Sequence, residues 1–201
     1  QADDNTLIVI YFGRLSFHAK AHPFAMYKSL QNASLKTKKK ILLLQCGWFG
    51  NDSIKKSFED ASNLICPNLR VQTIDGRLAE NRNKVWASGD IFCSFADNIQ
   101  ETFGITPIEA MSSGMPVVAS DWDGYKDSVA NEEEGYLIPT SMPSAGLGKD
   151  LIQRYSLNID TYDMYIGHCS SLISVDIEAA TNAFEKLFNS TELRKIMGNK
   201  G

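Results

Sequence analysis

No run of apolar residues in this sequence approaches the roughly 20 that cross a bilayer, and no charged-then-apolar leader pattern opens it. Membrane insertion and secretion are therefore not expected, and a cytoplasmic location is. Positive charge is not in excess either: 20 Lys and Arg face 24 Asp and Glu, a net charge of −4. That argues against a nucleic-acid partner, whose affinity comes largely from clustered cations meeting phosphates. The four cysteines (Cys46, Cys66, Cys93, Cys169) form no C-x-x-C pair. Two of them, Cys46 and Cys93, end apolar runs, where a free thiol behaves as a small hydrophobe. No disulfides and a reducing compartment are expected. There is also no G-x-G-x-x-G dinucleotide fingerprint, internal repeat or low-complexity tract.

What is present is an ordinary globular composition, 43% apolar and 22% charged over 201 residues. A chain of this size buries roughly 70% of its unfolded surface, enough for one core without a staple. It opens at Gln1, not Met, with a strand pattern within a few residues. On that ground it is taken as a piece of something longer.

Apolar runs alternate with helical patterns, the sign of a parallel sheet wrapped by helices. Strands are expected at Leu7–Phe12, Ile41–Leu44, Arg70–Ile74, Ile91–Ser94, Pro116–Ala119 and Gly135–Ile138. Helices are expected from Pro23 at a first helical position into the basic run Lys36–Lys40, from a cap at Asn51 or Asp52, before Ser88, and from Thr106 to Ser113. After Thr140 the pattern turns wholly helical. Ile177, Ala180, Phe184, Leu187 and Phe188 share one face, and Gly198 serves as a C-terminal stop. The expectation is a single α/β domain with a six-stranded parallel sheet: residues 1–140 form the core and residues 141–201 a helical tail.

Ligands of open parallel sheets sit outside the carboxyl ends of the strands. Three loops there carry unusual chemistry: Gly13–His22, Gly47–Asn51 and Phe95–Ile105. The third leads into Glu101-Thr-Phe-Gly-Ile-Thr-Pro-Ile-Glu109, two carboxylates separated by Gly104 and Pro107, so they cannot share one helix. With Thr106 as cap and Pro107 first in the helix, the amides of Gly104, Ile105 and Thr106 present the partial positive charge of a helix start, suited to a diphosphate. The flanking carboxylates suit paired hydroxyls. Two plainer readings stand beside this one. Thr106-x-x-Glu109 is also a capping box, in which the glutamate binds only the cap residue's N–H, and Glu101 is also readable as a solvated loop charge.

The string from Glu101 to Glu109, continuing through Ala110-Met-Ser-Ser-Gly-Met-Pro-Val-Val, resembles the E-x7-E segment of retaining GT-B glycosyltransferases, particularly family 4. The resemblance runs on through Gly124 and Gly135-Tyr-Leu-Ile-Pro139, and Gly13-Arg14-Leu-Ser-Phe-His-Ala-Lys20 is similar to that family's first C-terminal-domain loop. Coverage is good from about Leu7 to Thr140 and vaguer beyond. The resemblance implies a Rossmann-like fold, the C-terminal, donor-binding half of a GT-B enzyme, without the preceding acceptor domain. It implies that Glu109 accepts both ribose hydroxyls and Glu101 a hydroxyl of the donor sugar. Gly13 and the amides around Phe103, Gly104, Ile105 and Thr106 would line the sugar and diphosphate, Arg14 and Lys20 would grip the diphosphate, and Arg77 would sit near the base. The substrate implied is a nucleotide diphosphate-sugar, with no cofactor and no metal required. The acceptor is left open among glycan, lipid and small molecule, and the full-length enzyme is allowed to be membrane-peripheral. A non-hydrolysing nucleotide-sugar epimerase of the same fold and a non-enzymatic nucleotide-binding module are the alternatives.

Other constellations carry less. Asp121-Trp-Asp123 has a metal-binding D-x-D pattern but follows the fifth strand, in a variable loop of that family. His18 and His22 have helical zinc spacing, yet Pro23 puts them before the helix and no third ligand is evident. His168-Cys169 lies in the tail and is taken as packing away from the strand ends. Trp48 is either a lid or core, and Glu132-Glu-Glu134 a solvated turn.

Overall fold

The structure is a computed structural model that describes residues 5–201, so Gln1 lies outside the described residues. The apolar runs form β1 (Thr6–Phe12), β2 (Lys40–Gly47), β3 (Arg70–Asp75), β4 (Ile91–Ser94), β5 (Val117–Ser120) and β6 (Gly135–Ile138). Between them run α1 (Phe24–Thr37), α2 (Asp52–Ile65), α3 (Ala79–Trp86), α4 (Ile105–Ser112) and the single turn α5 (Tyr125–Ser128). All six strands are parallel, in the order β3-β2-β1-β4-β5-β6. The order reverses between β1 and β4, where the loops leaving the two strands diverge to opposite faces and open a crevice.

Successive side chains point to opposite faces of a strand, and each face here carries its own core. Val9, Tyr11, Leu43, Ile91 and Cys93 face α1 and α8 (Ile177–Asn189), meeting Tyr27 and Leu30 of the first and Phe184 and Leu187 of the second. Ile10, Phe92, Val117 and Ala119 face the other way, against Val85 of α3, Ala110 of α4 and Tyr125 of α5. The predicted stripe of α8 is real: Ala180, Phe184, Leu187 and Phe188 are buried and Ile177 half-buried. Asn51 caps α2, its side chain accepting from Ile54 N at 2.9 Å.

Three expectations are corrected. Pro23 is the cap of α1 and not its first residue, although the helix does end at Thr37, inside the expected basic run. The segment after Thr140 is not wholly helical. A two-residue strand β7 (Thr140–Ser141) pairs antiparallel with β8 (Ser174–Val175), and α6 (Lys149–Ser156) and α7 (Tyr162–Ser170) lie between them. Strands this short have no alternation to read. The last helical stretch breaks at Ser190, whose Oγ accepts from Leu193 N and starts α9 (Thr191–Lys200). Gly198 is accordingly no stop; it lies buried inside α9.

Candidate functional site

The site grows from two loops at the β1/β4 switch point. After β1 the chain stays zipped to the neighbouring loop: Gly13 N donates to Cys46 O at 3.0 Å and Leu15 N to Trp48 O at 2.9 Å. Leu15 is fully buried. The residue between these anchors, Arg14, therefore projects to solvent, and its guanidinium is braced by Ala19 O at 3.0 Å. A turn follows in which Lys20 N donates to Ser16 O at 3.1 Å, fixing where Lys20 leaves the backbone.

After β4, Asn98 ties the second loop together and to the first. Its side-chain carbonyl accepts from Gln100 N at 3.0 Å, and its side-chain amide donates to His18 O at 2.9 Å. Its backbone carbonyl accepts from Glu101 N at 3.1 Å and from the Trp122 indole at 3.1 Å. These bonds deliver Glu101, 9% exposed, to an ion pair with Lys20. Arg14, Lys20 and Glu101 thus meet in one polar cavity of about 200 Å³, which Asn98 and Gln100 also line. Asn98 and Gln100 were missed at the level of sequence. An Asn in a loop carries no distinguishing signal until its partners, among them His18 80 residues away, are known.

Gly104 turns the chain from this loop into α4. It has φ +73°, and a Cβ there would fall 2.1 Å from the Tyr125 ring. Only glycine fits such a place without strain. Tyr125 itself is anchored by Ser94 Oγ at 2.8 Å. Burial first, and the Glu101 charge second, push its hydroxyl well above the ordinary phenol range.

The cap of α4 is Gly104, not Thr106, and Pro107 is third in the helix, where it still costs no intrahelical bond. The left-handed glycine lets the helix begin two residues earlier than the Thr-Pro pattern suggests. No capping box forms. Thr106 Oγ1 is buried next to Tyr125 without a well-formed hydrogen bond, and the exposed Glu109 carboxylate has no hydrogen bond among the described residues. Glu101, for its part, is not a solvated loop charge. Phe103 and Ile105 are exposed at the helix mouth, 60% and 61%. Gly13, Phe103 and Gly104 lie on the two loops that form the cavity, and Ile105, Thr106 and Glu109 on α4, which follows the second loop; none of the six is in its lining.

Arg77 is elsewhere. It forms an exposed pair with Asp75 at 2.7 Å and lines a separate cleft of about 470 Å³ with Trp48 and Gly50. Trp48, 40% exposed, is therefore not core. His168 is not remote packing: it lines a groove with His18 and His22, beside the strand ends. Asp121 is drawn to Lys126 at 3.9 Å.

Comparison with known proteins bears on the fold and the family. Two curated relatives match short stretches. One is a phosphatidyl-myo-inositol mannosyltransferase of Mycobacterium leprae, 44% identical over 66 residues, 32% of this chain and 17% of the relative. The other is the sulfoquinovosyl transferase SQD2 of Arabidopsis thaliana, 42% identical over 79 residues, 38% and 14% respectively. Among solved structures, WaaG, a glycosyltransferase involved in lipopolysaccharide biosynthesis, superposes with a TM-score of 0.67 at 16% identity, over 98% of this chain and 42% of its own. Anabaena Alr3699/HepE, solved in complex with UDP-glucose, gives 0.51 at 20% identity, over 96% and 48%. The chain thus matches less than a fifth of the length of these curated relatives and less than half of these solved structures. No described helix is long and apolar enough to cross a membrane. The model of the family "Glycosyl transferases group 1" matches residues 1–158, most of the sequence, and the chain belongs to that family.

Proposed function

We propose that this domain binds a nucleotide diphosphate-sugar in the Arg14–Lys20–Glu101 cavity and is the donor half of a retaining glycosyltransferase. The observation that carries the reading is the convergence itself. Two cations and a carboxylate, from loops some 80 residues apart, meet at the strand ends of a sheet whose family is that of glycosyl transferases. Alr3699/HepE, a relative in fold, has been solved with UDP-glucose.

In this reading the Lys20–Glu101 pair is a resting arrangement that the donor divides. The diphosphate takes over Lys20 and Arg14, and Glu101, released, accepts hydroxyls of the sugar. Free amides at the start of α4 face the same ligand, and Glu109, without a partner among the described residues, takes the ribose. As the glycosidic bond breaks, negative charge gathers on the leaving diphosphate. Fixed cations aimed there stabilise the transition state more than the ground state. That supply of positive charge calls for no metal. The acceptor domain would come from the part of the enzyme outside this chain. No observation favours the epimerase or the non-enzymatic module over this reading.

The test is a thermal-shift panel of uridine, guanosine and adenosine diphosphates and their common sugar conjugates, with and without EDTA. A ligand at a hundred times its Kd adds about 2.7 kcal/mol. One conjugate should bind in preference to its bare diphosphate, and that preference should vanish in Glu101→Gln. Binding that ignores the sugar would leave only a nucleotide module.

A further inference from the structure

Beside the donor cavity, across the contact of Asn98 with His18 O, lies a larger groove of about 750 Å³. One wall is the loop after β1 together with Asp97; the other is α7. The two walls touch where Gly167 of α7 meets His18, so closely that a Cβ on the glycine would lie 3.0 Å from His18 Cβ. The groove therefore opens at the same strand ends as the donor cavity. Its second wall, however, is built from residues 163–177, beyond residue 158, where the family match stops. The donor residues belong to the shared part of the chain; this wall does not.

The chemistry of the groove differs from that of the cavity next to it. Phe17, Phe24, Phe95 and Met164 give its lining an apolar character. All three histidines of the sequence, His18, His22 and His168, stand around it. Asp97 and Asp163 line it, and no Lys or Arg does among the described residues, so an anionic group finds no fixed countercharge. Nor do these side chains converge on a metal position: no three His, Cys, Asp or Glu among the described residues are so placed. Asp97 is 7% exposed; its Oδ2 accepts from His22 N at 3.0 Å, and its Oδ1 has no well-formed hydrogen bond among the described residues. A buried carboxylate oxygen left unpaired is costly, and a donor brought in by a ligand would relieve that cost.

We propose that this groove binds an uncharged, hydroxyl-bearing molecule with an apolar body, one hydroxyl of which donates to Asp97. A groove of this volume has the capacity of sites that enclose drug-sized ligands, and its wall outside the family match is where the choice of that ligand would be written.

Three probes that share a tail test it: n-octyl β-D-glucoside, n-octyl sulfate and n-octylammonium, titrated by calorimetry below their micellar concentrations. UDP-glucose, or whichever conjugate the panel selects, is titrated alongside. The glucoside should bind at least tenfold tighter than either charged probe. Met164→Trp, a change at a half-exposed position that fills the groove, should weaken glucoside binding at least tenfold and leave the nucleotide sugar unchanged. Asp97→Asn should weaken the glucoside several-fold, with an unaltered circular dichroism spectrum. Equal binding of the three probes, or indifference to Met164→Trp, overturns the proposal. So does a dimer in sedimentation that Met164→Trp disperses, because the occupant would then be a second copy. If the glucoside binds as described and no nucleotide sugar does, the donor reading fails while the hydroxyl site stands.

Discussion

Lys20 and Glu101, 81 residues apart in the chain, close an ion pair at the floor of the polar cavity, the lysine side chain 21% and the glutamate 10% exposed. A pair so sheltered is costly to break from one side, because the remaining charge loses its partner and has little water. Lys20→Met should destabilise the fold by about 3 kcal/mol, and Lys20→Met with Glu101→Gln by distinctly less. Urea denaturation of the two single variants and the double variant measures this. A loss in the double variant equal to the sum of the two single losses would mean that the pair is not coupled.

Glu109 should behave in the opposite manner. Its carboxylate makes no hydrogen bond among the described residues and is exposed. Glu109→Ala should change stability by no more than about 0.5 kcal/mol. It should nonetheless lower nucleotide-sugar affinity ten- to a hundredfold, about 1.5–3 kcal/mol, by leaving ribose hydroxyls unpaired. Calorimetric titration against the wild type decides. A stability loss with unchanged affinity would instead give the residue a purely structural role.

Gly104→Ala should cost about 2–4 kcal/mol, combining a left-handed backbone with overpacking against Tyr125. Relieving that contact moves the loop carrying Glu101, so donor binding should fall as well. The same substitution at Gly114, also at positive φ but with nothing within 4 Å of the added atom, should cost only the backbone share. Thermal denaturation of both variants separates the two contributions.

Burial pushes the Asp97 carboxyl up from its ordinary 3.8 to about 7. Between those values the folded protein holds a proton that the unfolded chain has released. Stability therefore falls as pH rises through that window and levels off above it. The full effect is on the order of 4 kcal/mol. Nearby His22, lowered by its own burial, acts in the opposite sense. Asp97→Asn retains His22 and lacks the carboxyl, so the variant's Tm should gain on the wild type between pH 5 and pH 8. A gap that does not change with pH would mean that Asp97 ionises normally.

Much of this architecture was legible beforehand because its signals are local. Ile91–Ser94 and Gly135–Ile138 are apolar runs bounded by turn residues, and both strands form with those limits. The stripe on α8 is a periodicity, and periodicity needs no knowledge of partners. The same is not true of α4: Thr106-Pro107-x-Glu109 is a sound helix start, overridden by a glycine whose neighbour Tyr125 is distant in the chain. The candidate site was legible by residue type, and Arg14, Lys20 and Glu101 do come together. That Lys20 holds Glu101, that Asn98 binds four groups across three loops, and that Arg77 lies in another cleft all depend on contacts between separate parts of the chain. His168 looked remote for the same reason: the turn of chain that returns α7 to the first loop leaves no pattern in the sequence.

The short ladder of β7 and β8 has a consequence of its own. Residues 142–173 leave and re-enter the domain side by side, through two paired positions, Thr140 with Val175 and Ser141 with Ser174. The parallel sheet ends before this excursion starts, and α8 begins after it ends. Its length and sequence are thereby free to vary from one protein to another without shifting any strand of the sheet, like an exchangeable cassette clipped to a fixed frame.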